Sequence, residues 1–321
     1  MIVSVPSHLC DDSIPSAQVH TRGCKRPYYL LESAAHRHVR SFSEMQIAVN
    51  SKSEESRRFG FGQNWLDFAQ RLTPARISEA EQSLRRLLQC ETLTGRSFLD
   101  IGSGSGLFSL AARRLGARVH SFDFDVASVL CTRGMRDLRS PDDPDWKVEQ
   151  GSILDPDYVS ALGTFDIVYS WGVLHHTGAM HRALQVAASL VAPEGLFAFA
   201  LYRRTLMCRL WRWEKRWYAA ASPDAQGRAR AVYIAVLRAA FFAKRRNFRS
   251  YVENYQGNRG MDFLHDVHDW MGGYPYESIL APEVEGLLRP LGFARVHGKN
   301  TSLRIGLFGS GCDEYLYRRR C

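Results

Sequence analysis

Asp100, Gly102, Gly104 and Gly106 stand at alternate positions in SFLDIGSGSGLFSL (97–110), a spacing suited to a turn that holds a ligand. Glycine lets the backbone bend sharply and lets a ligand reach the peptide groups with no Cβ in the way. An acid ahead of such a turn suits a cation or an amino group and would repel a pyrophosphate. The G-x-G-x-G spacing, with Ser103 inside it, departs from the G-x-G-x-x-G of a dinucleotide turn, and no Walker lysine follows. A second acid, Asp123, lies about 20 residues on, where one carboxylate can accept hydrogen bonds from both hydroxyls of a ribose. Asp125 reads as the cap of the helix that follows. Three histidines, His175, His265 and His268, are of the right type to take a proton near neutral pH.

These residues need a sheet to bring them together. Phe98 and Leu99 read as a short buried strand, and Leu107, Leu110 and Ala111 open a helical stripe, so the free N–H groups of the helix start face the turn. Strands follow at 117–125, at WKVEQGSIL and at TFDIVYSWGVLHHTG (164–178), with a fifth in APEGLFAFALYR (192–203). Helices alternate with them, which points to a parallel sheet. Ser170 and Trp171 fall at the carboxyl end of the fourth strand, where ligands of doubly wound sheets sit. His175 follows, read either as a base or as a residue of a helix start that contacts backbone or ligand.

D-x-G-x-G-x-G from Asp100 resembles motif I of the class I S-adenosylmethionine (SAM) methyltransferases, and FDIVYSWGVLHHTG resembles motif IV of the ubiquinone/menaquinone-type small-molecule methyltransferases. The resemblance covers 95–203 closely and 282–321 by pattern. It implies a Rossmann-like α/β fold, doubly wound, with a mainly parallel seven-stranded sheet closed by an antiparallel pair. The cofactor it implies is SAM. Asp100, Gly102, Ser103, Gly104 and Gly106 would surround its amino-acid end, Asp123 its ribose, and Phe124 its adenine ring. Ser152 and Ile153 match the positions that meet the adenine edge, although the family often has an acid at the place of Ser152; Ser170 and Trp171 complete the cofactor set. Helices before motif I close over the cofactor in this family, which draws attention to Phe61 and Trp65 in RFGFGQNWLDFAQRL (57–72).

The implied reaction is methyl transfer to a small-molecule acceptor by in-line displacement, and a hydroxyl oxygen is the first expectation. A hydroxyl must lose its proton, so His175, His265 or His268 is expected to be the base. No N-P-P-[YFW] or D-P-P-Y motif follows the fourth strand, and no cysteine sits where a cytosine C5 nucleophile is needed. The other readings are a methyltransferase acting on RNA or protein, and a SAM-binding protein without turnover.

The chain of 321 residues, 45% apolar, can bury a full core. Residues 1–45 are aperiodic and expected to be poorly ordered, with 46–203 and 282–321 forming the SAM-binding domain. The seven cysteines are scattered without a C-x-x-C pair, and the start carries no secretion-signal pattern, so the expected compartment is a reducing cytoplasm. The net charge of +9 comes from one segment: residues 203–249 hold thirteen Lys or Arg against Glu214 and Asp224.

That segment belongs to an insertion, 204–281, read as a lid of two amphipathic helices and a substrate loop. Met207, Leu210, Trp211, Trp217 and Tyr218 are expected on one face of the first helix; Val232, Tyr233, Val236, Ala240 and Phe241 on one face of the second. Three meanings of the charge compete: a solvated outer face, a rim for an anionic acceptor, and a membrane-surface helix at 204–220 with a lipid-like acceptor. No RNA-binding module is recognisable, so nucleic acid is not the expected partner. HDVHD (265–269) offers a metal only if His265 and Asp269 share a cation on a helix; a place beside the acceptor pocket, with no metal, is the reading carried forward.

Overall fold

A computed structural model describes residues 73–139, 143–255, 263–299 and 306–320, and of Leu138, Arg139 and His265 the backbone alone. The expectations for residues 1–45 and for Phe61 and Trp65 lie outside the described residues. Thr73 caps the first described helix, α1 (Pro74–Leu88), by accepting from the Arg76 N–H, and Pro74 opens it with its φ already helical. Ala80, Leu84 and Leu88, spaced by four, form its buried stripe.

The sheet has seven strands: β1 (Ser97–Ile101), β2 (Arg118–Asp123), β3 (Trp146–Gln150), β4 (Phe165–Trp171), β5 (Val191–Tyr202), β6 (Phe293–Lys299) and β7 (Cys312–Arg319). Their order is β3-β2-β1-β4-β5-β7-β6. The first five pair in parallel, while β7 runs antiparallel to β5 and to β6. Between them lie α2 (Leu107–Arg114), α3 (Val126–Arg139), α4 (Pro156–Ser160), a single 3-10 turn at Leu174–His176, and α5 (Met180–Ser189). This is the doubly wound, mainly parallel arrangement implied by the sequence motifs.

Leu99, Ile101, Val168, Phe197 and Phe199 point to one face of the sheet, where they pack with Ala183, Leu184 and Ala187 of α5. Val284 and Leu288 of α10 (Ala281–Leu288) complete that layer. The opposite face carries Asp100 on β1 in register with Ser121 on β2 and Tyr169 on β4. Polar residues on a central strand are unusual, because strands covered on both faces tend to be continuously apolar.

Residues 204–255 and 263–281 fold over the carboxyl ends of β4 and β5 as α6 (Cys208–Ala220), α7 (Pro223–Ala243), α8 (Phe248–Glu253) and α9 (Phe263–Gly272). Ser222 caps α7 and Pro223 opens it. The segment expected as a substrate loop is thus in part a helix: Phe263, Val267, Trp270 and Met271 recur at helical spacing and are buried. The faces of the lid helices also differ from expectation. On α6 the buried stripe is Cys208, Trp211, Lys215 and Tyr218, while Leu210 and Trp217 are exposed. On α7 it is Ala229, Tyr233, Ile234 and Leu237 that pack inward, and Val232 and Val236 are exposed. No helix among the described residues is long and apolar enough to cross a membrane.

Candidate cofactor and acceptor site

The glycine turn sits where β1, β2 and β4 end. Gly102 has φ +76, and a Cβ there would run into the Val173 side chain. Gly106 also has φ +76, and its Cβ would lie 2.9 Å from the Thr132 Cα, so only glycine lets α2 start this close to α3. The N–H groups of Gly102 and Ser103 both donate to the Phe122 carbonyl, at 2.8 and 3.2 Å, which ties the turn to β2. The Ser103 hydroxyl is spent on Thr132 at 2.9 Å.

Asp123 closes the arrangement. Its Oδ2 accepts from the Gly104 N–H at 3.0 Å and its Oδ1 from the Asp125 N–H at 2.9 Å. A carboxylate oxygen can accept more than one hydrogen bond, so both oxygens retain capacity for the two hydroxyls of a ribose. Burial raises its pKa to about 6 against those backbone donors. Phe124, beside it, leaves 57% of its surface exposed at the strand end and offers a flat face to a base. Ser152 and Ile153 follow β3; the Ser152 hydroxyl accepts from the Leu154 N–H at 3.2 Å, and the Ile153 side chain is buried in the core. The turn, the acid and the exposed ring fit an adenosyl group with an amino-acid tail.

Two expected contacts are corrected. Asp100 is only 2% exposed, and its carboxylate accepts from the Ser109 hydroxyl of α2. Ser109 and Ser121 hydroxyls lie 2.7 Å apart, and the Trp146 indole N–H donates to Ser121 at 2.9 Å. Since Ser109 has one hydroxyl proton and gives it to Asp100, the chain is directional: Trp146 to Ser121, Ser121 to Ser109, Ser109 to Asp100. Asp100 therefore underpins the turn from within the protein, with its pKa raised by burial to about 7. Ser170 is likewise internal; its hydroxyl donates to the Ile101 carbonyl at 3.1 Å and locks the ends of β1 and β4. Trp171 is half-buried and stacks on Tyr169, with centroids 5.7 Å apart.

The histidines separate. His175 is fully buried; its Nδ1 accepts from the Tyr202 N–H at 3.2 Å and its ring lies 3.8 Å from the Tyr202 ring. Burial holds its pKa well below the usual imidazole range. The expectation of an accessible base at His175 is corrected by this placement in the core. His268 is half-buried, and its Nδ1 is held by Arg230 at 3.0 Å and the Tyr218 hydroxyl at 2.7 Å. The side chain of His265 lies outside the described residues.

A lysine unremarked in the sequence lies at the centre of the lid contact. Lys215 is 0% exposed, and its Nζ stands 3.6 Å from the Trp270 ring centroid and 5.5 Å from that of Tyr276. Trp270, Tyr276, Tyr202 and Trp211 form one aromatic cluster, against which Trp171 packs. Its sequence signal was faint: position 215 falls in register with Cys208, Trp211 and Tyr218.

A family model described as "Methyltransferase domain" matches residues 70–249. The chain belongs to that methyltransferase-domain family. Among curated proteins it is similar to a ubiquinone biosynthesis O-methyltransferase of Paraburkholderia xenovorans (strain LB400), 29% identical over 121 residues, covering 36% of this chain and 47% of that protein. A protein of the same name from Xanthomonas campestris pv. campestris (strain B100) is 32% identical over 113 residues, covering 35% and 46%. The chain spans about half the length of the curated relatives it matches. Among solved structures it is similar to magnesium protoporphyrin IX methyltransferase from Synechocystis PCC 6803 with bound SAH, at 13% identity and TM-score 0.48, covering 80% of this chain and 93% of that one. A Burkholderia thailandensis 1,6-didemethyltoxoflavin-N1-methyltransferase aligns at 14% identity and TM-score 0.42, covering 94% of both chains.

Proposed function

We propose that this member of the methyltransferase-domain family binds SAM and moves its methyl group to a small-molecule acceptor, at a hydroxyl oxygen. The observation that carries the reading is the Asp123 carboxylate fixed to the Gly104 N–H, which joins a ribose-gripping acid to the glycine turn in one rigid unit. Gly102, Ser103, Gly104 and Gly106, whose N–H groups are taken within the protein, would line the cofactor's amino-acid end and offer it backbone carbonyls, with Phe124, Ser152 and Ile153 around the base. When bound, SAM supplies an electrophilic methyl group on a good leaving group, so the protein's work is alignment, exclusion of water and handling of one proton. The lid helices α6, α7 and α9 cover the strand ends beside that site and serve the exclusion of water. The curated relatives are named for O-methylation, which supports oxygen as the accepting atom.

One further observation favours a lipid-like acceptor. Leu206, Leu210, Trp213 and Trp217 recur along α6 and the residues before it, exposed, on the side opposite the buried stripe; Trp213 is 67% exposed. Arg209, Arg212 and Arg216 run beside them. Tryptophan and leucine flanked by arginine suit the surface of an anionic bilayer. Calorimetry with SAM and its demethylated product, SAH, tests the cofactor, and incubation with methyl-labelled SAM and fractionated cell extract tests the acceptor. Label in an organic-soluble small molecule is the expected result; label in RNA or protein, or no heat with SAH, overturns the reading.

A further inference from the structure

Five buried polar atoms without a hydrogen-bond partner among the described residues gather where β4 and β5 meet the lid: Trp171 Nε1, His175 Nε2, Tyr202 Oη, Lys215 Nζ and Trp270 Nε1. Buried donors and acceptors are nearly always paired, because an unmade bond leaves the cost of desolvation uncompensated. Such a concentration offers donors and acceptors to a bound molecule. Lys215 stands out among them. It lies on a lid helix with open solvent on its other side, where a lysine normally extends its amine into water, yet it turns inward over Trp270.

We propose that Lys215 Nζ anchors the methyl acceptor and takes its proton, and that the subsite accepts a planar aromatic ring bearing an acidic hydroxyl, a phenol-class acceptor. This rests on the methyltransferase reading above. The Trp270 face occupies one side of Nζ, and the amine retains donors and a lone pair for an oxygen. Trp270 and Tyr276 lie around the amine, Tyr202 contacts both at the end of β5, and Trp171 packs against the same cluster. The charged and titratable groups facing Lys215 are Glu214 from its own helix, Asp269 from α9, and His175 and His176 from the turn after β4. Both imidazoles are held neutral by burial. Burial likewise pulls the Lys215 amine below the usual lysine range, against the Glu214 and Asp269 carboxylates, and so favours its unprotonated form. In the proton transfer the acceptor's O–H bond breaks, its electron pair stays on oxygen, and the proton joins the Nζ lone pair; a phenolate beside an ammonium results.

The test uses the full chain saturated with SAH and 4-nitrophenol as the probe, whose ionised form is yellow. In mildly acidic buffer, where the free probe is mostly colourless, wild type is expected to bind it and turn it yellow. K215M and K215Q are expected to keep SAH affinity, lose the yellow band, and bind the probe roughly ten-fold more weakly or worse. A wild type that binds SAH but gives no yellow band overturns the inference and leaves the methyltransferase reading standing. Variants that behave like wild type toward the probe overturn it too. A protein that binds no SAH overturns the methyltransferase reading and this inference with it.

Discussion

The Gly104 N–H donates to Asp123 Oδ2 at 3.0 Å, so the acid that ends β2 and the turn that leaves β1 are one unit. A ligand gripped by Asp123 is thereby held at a fixed distance from the turn. Asp123→Ala is expected to weaken SAH binding roughly 10- to 100-fold, the value of one or two hydrogen bonds to a charged group. Asp123→Asn should lose less, because it keeps an acceptor for Gly104. Calorimetric titration checks both, and unchanged affinity in the alanine variant contradicts the placement of the ribose.

SAH binding should also depend on pH. Asp123 is raised to about 6 by burial, and ribose hydroxyls donating to it favour the ionised form. Binding therefore releases a proton, and affinity falls as pH drops through 6. Titrations in two buffers of different ionisation heat measure the release; zero proton release near pH 6 contradicts the assignment.

Asp100 predicts a stability effect of opposite sense to the usual salt-bridged acid. Its folded pKa of about 7 lies above the unfolded value of about 3.9. Between those values the native state binds more protons than the unfolded state, so this group's contribution falls as pH rises from about 4 to 7. Asp100→Asn keeps an acceptor for Ser109 and removes the buried charge. It is expected to stabilise the unliganded protein by about 1–3 kcal/mol above pH 7, with the gain shrinking toward pH 5. Denaturant unfolding at the two pH values checks this.

His175→Ala should act on folding rather than on cofactor binding. It deletes a fully buried ring and the acceptor of the Tyr202 N–H, a loss of about 2–4 kcal/mol. Near-native stability with lost turnover would restore His175 as a catalytic base.

The exposed side of α6 predicts vesicle binding. Wild type is expected to float with phosphatidylserine vesicles at low salt, and the double variant Trp213→Ser, Trp217→Ser to remain below. Equal flotation of the two proteins would remove the lipid-surface reading.

The sheet was legible in the sequence because its strands are near-continuous apolar runs and its turn is punctuated by glycine. The lid was not, for a physical reason. Hydrophobicity placed Leu210 and Trp217 inside and drew no attention to Lys215, whereas α6 turns Lys215 inward with Trp211 and Tyr218. No propensity scale marks a buried lysine; its burial is decided by Trp270, which arrives from α9. His175 was open to two readings, a base by its type or a contact with backbone, and the β5 backbone at Tyr202 claims its nitrogen. Glycines and aromatics near HDVHD suggested a loop, while the helical recurrence of Phe263, Val267, Trp270 and Met271 was the better guide.

Ile279 bridges to Arg203, donating to the Tyr202 carbonyl and accepting from the Arg204 N–H, each at 3.0 Å. The excursion that begins after Arg204 thus returns to its own point of departure. Its two stems are clasped at the rim of the sheet, so its contents can be lengthened, shortened or exchanged without altering the strand register below. A chain built this way can acquire a new acceptor preference by trading its cover while the donor cradle stays untouched.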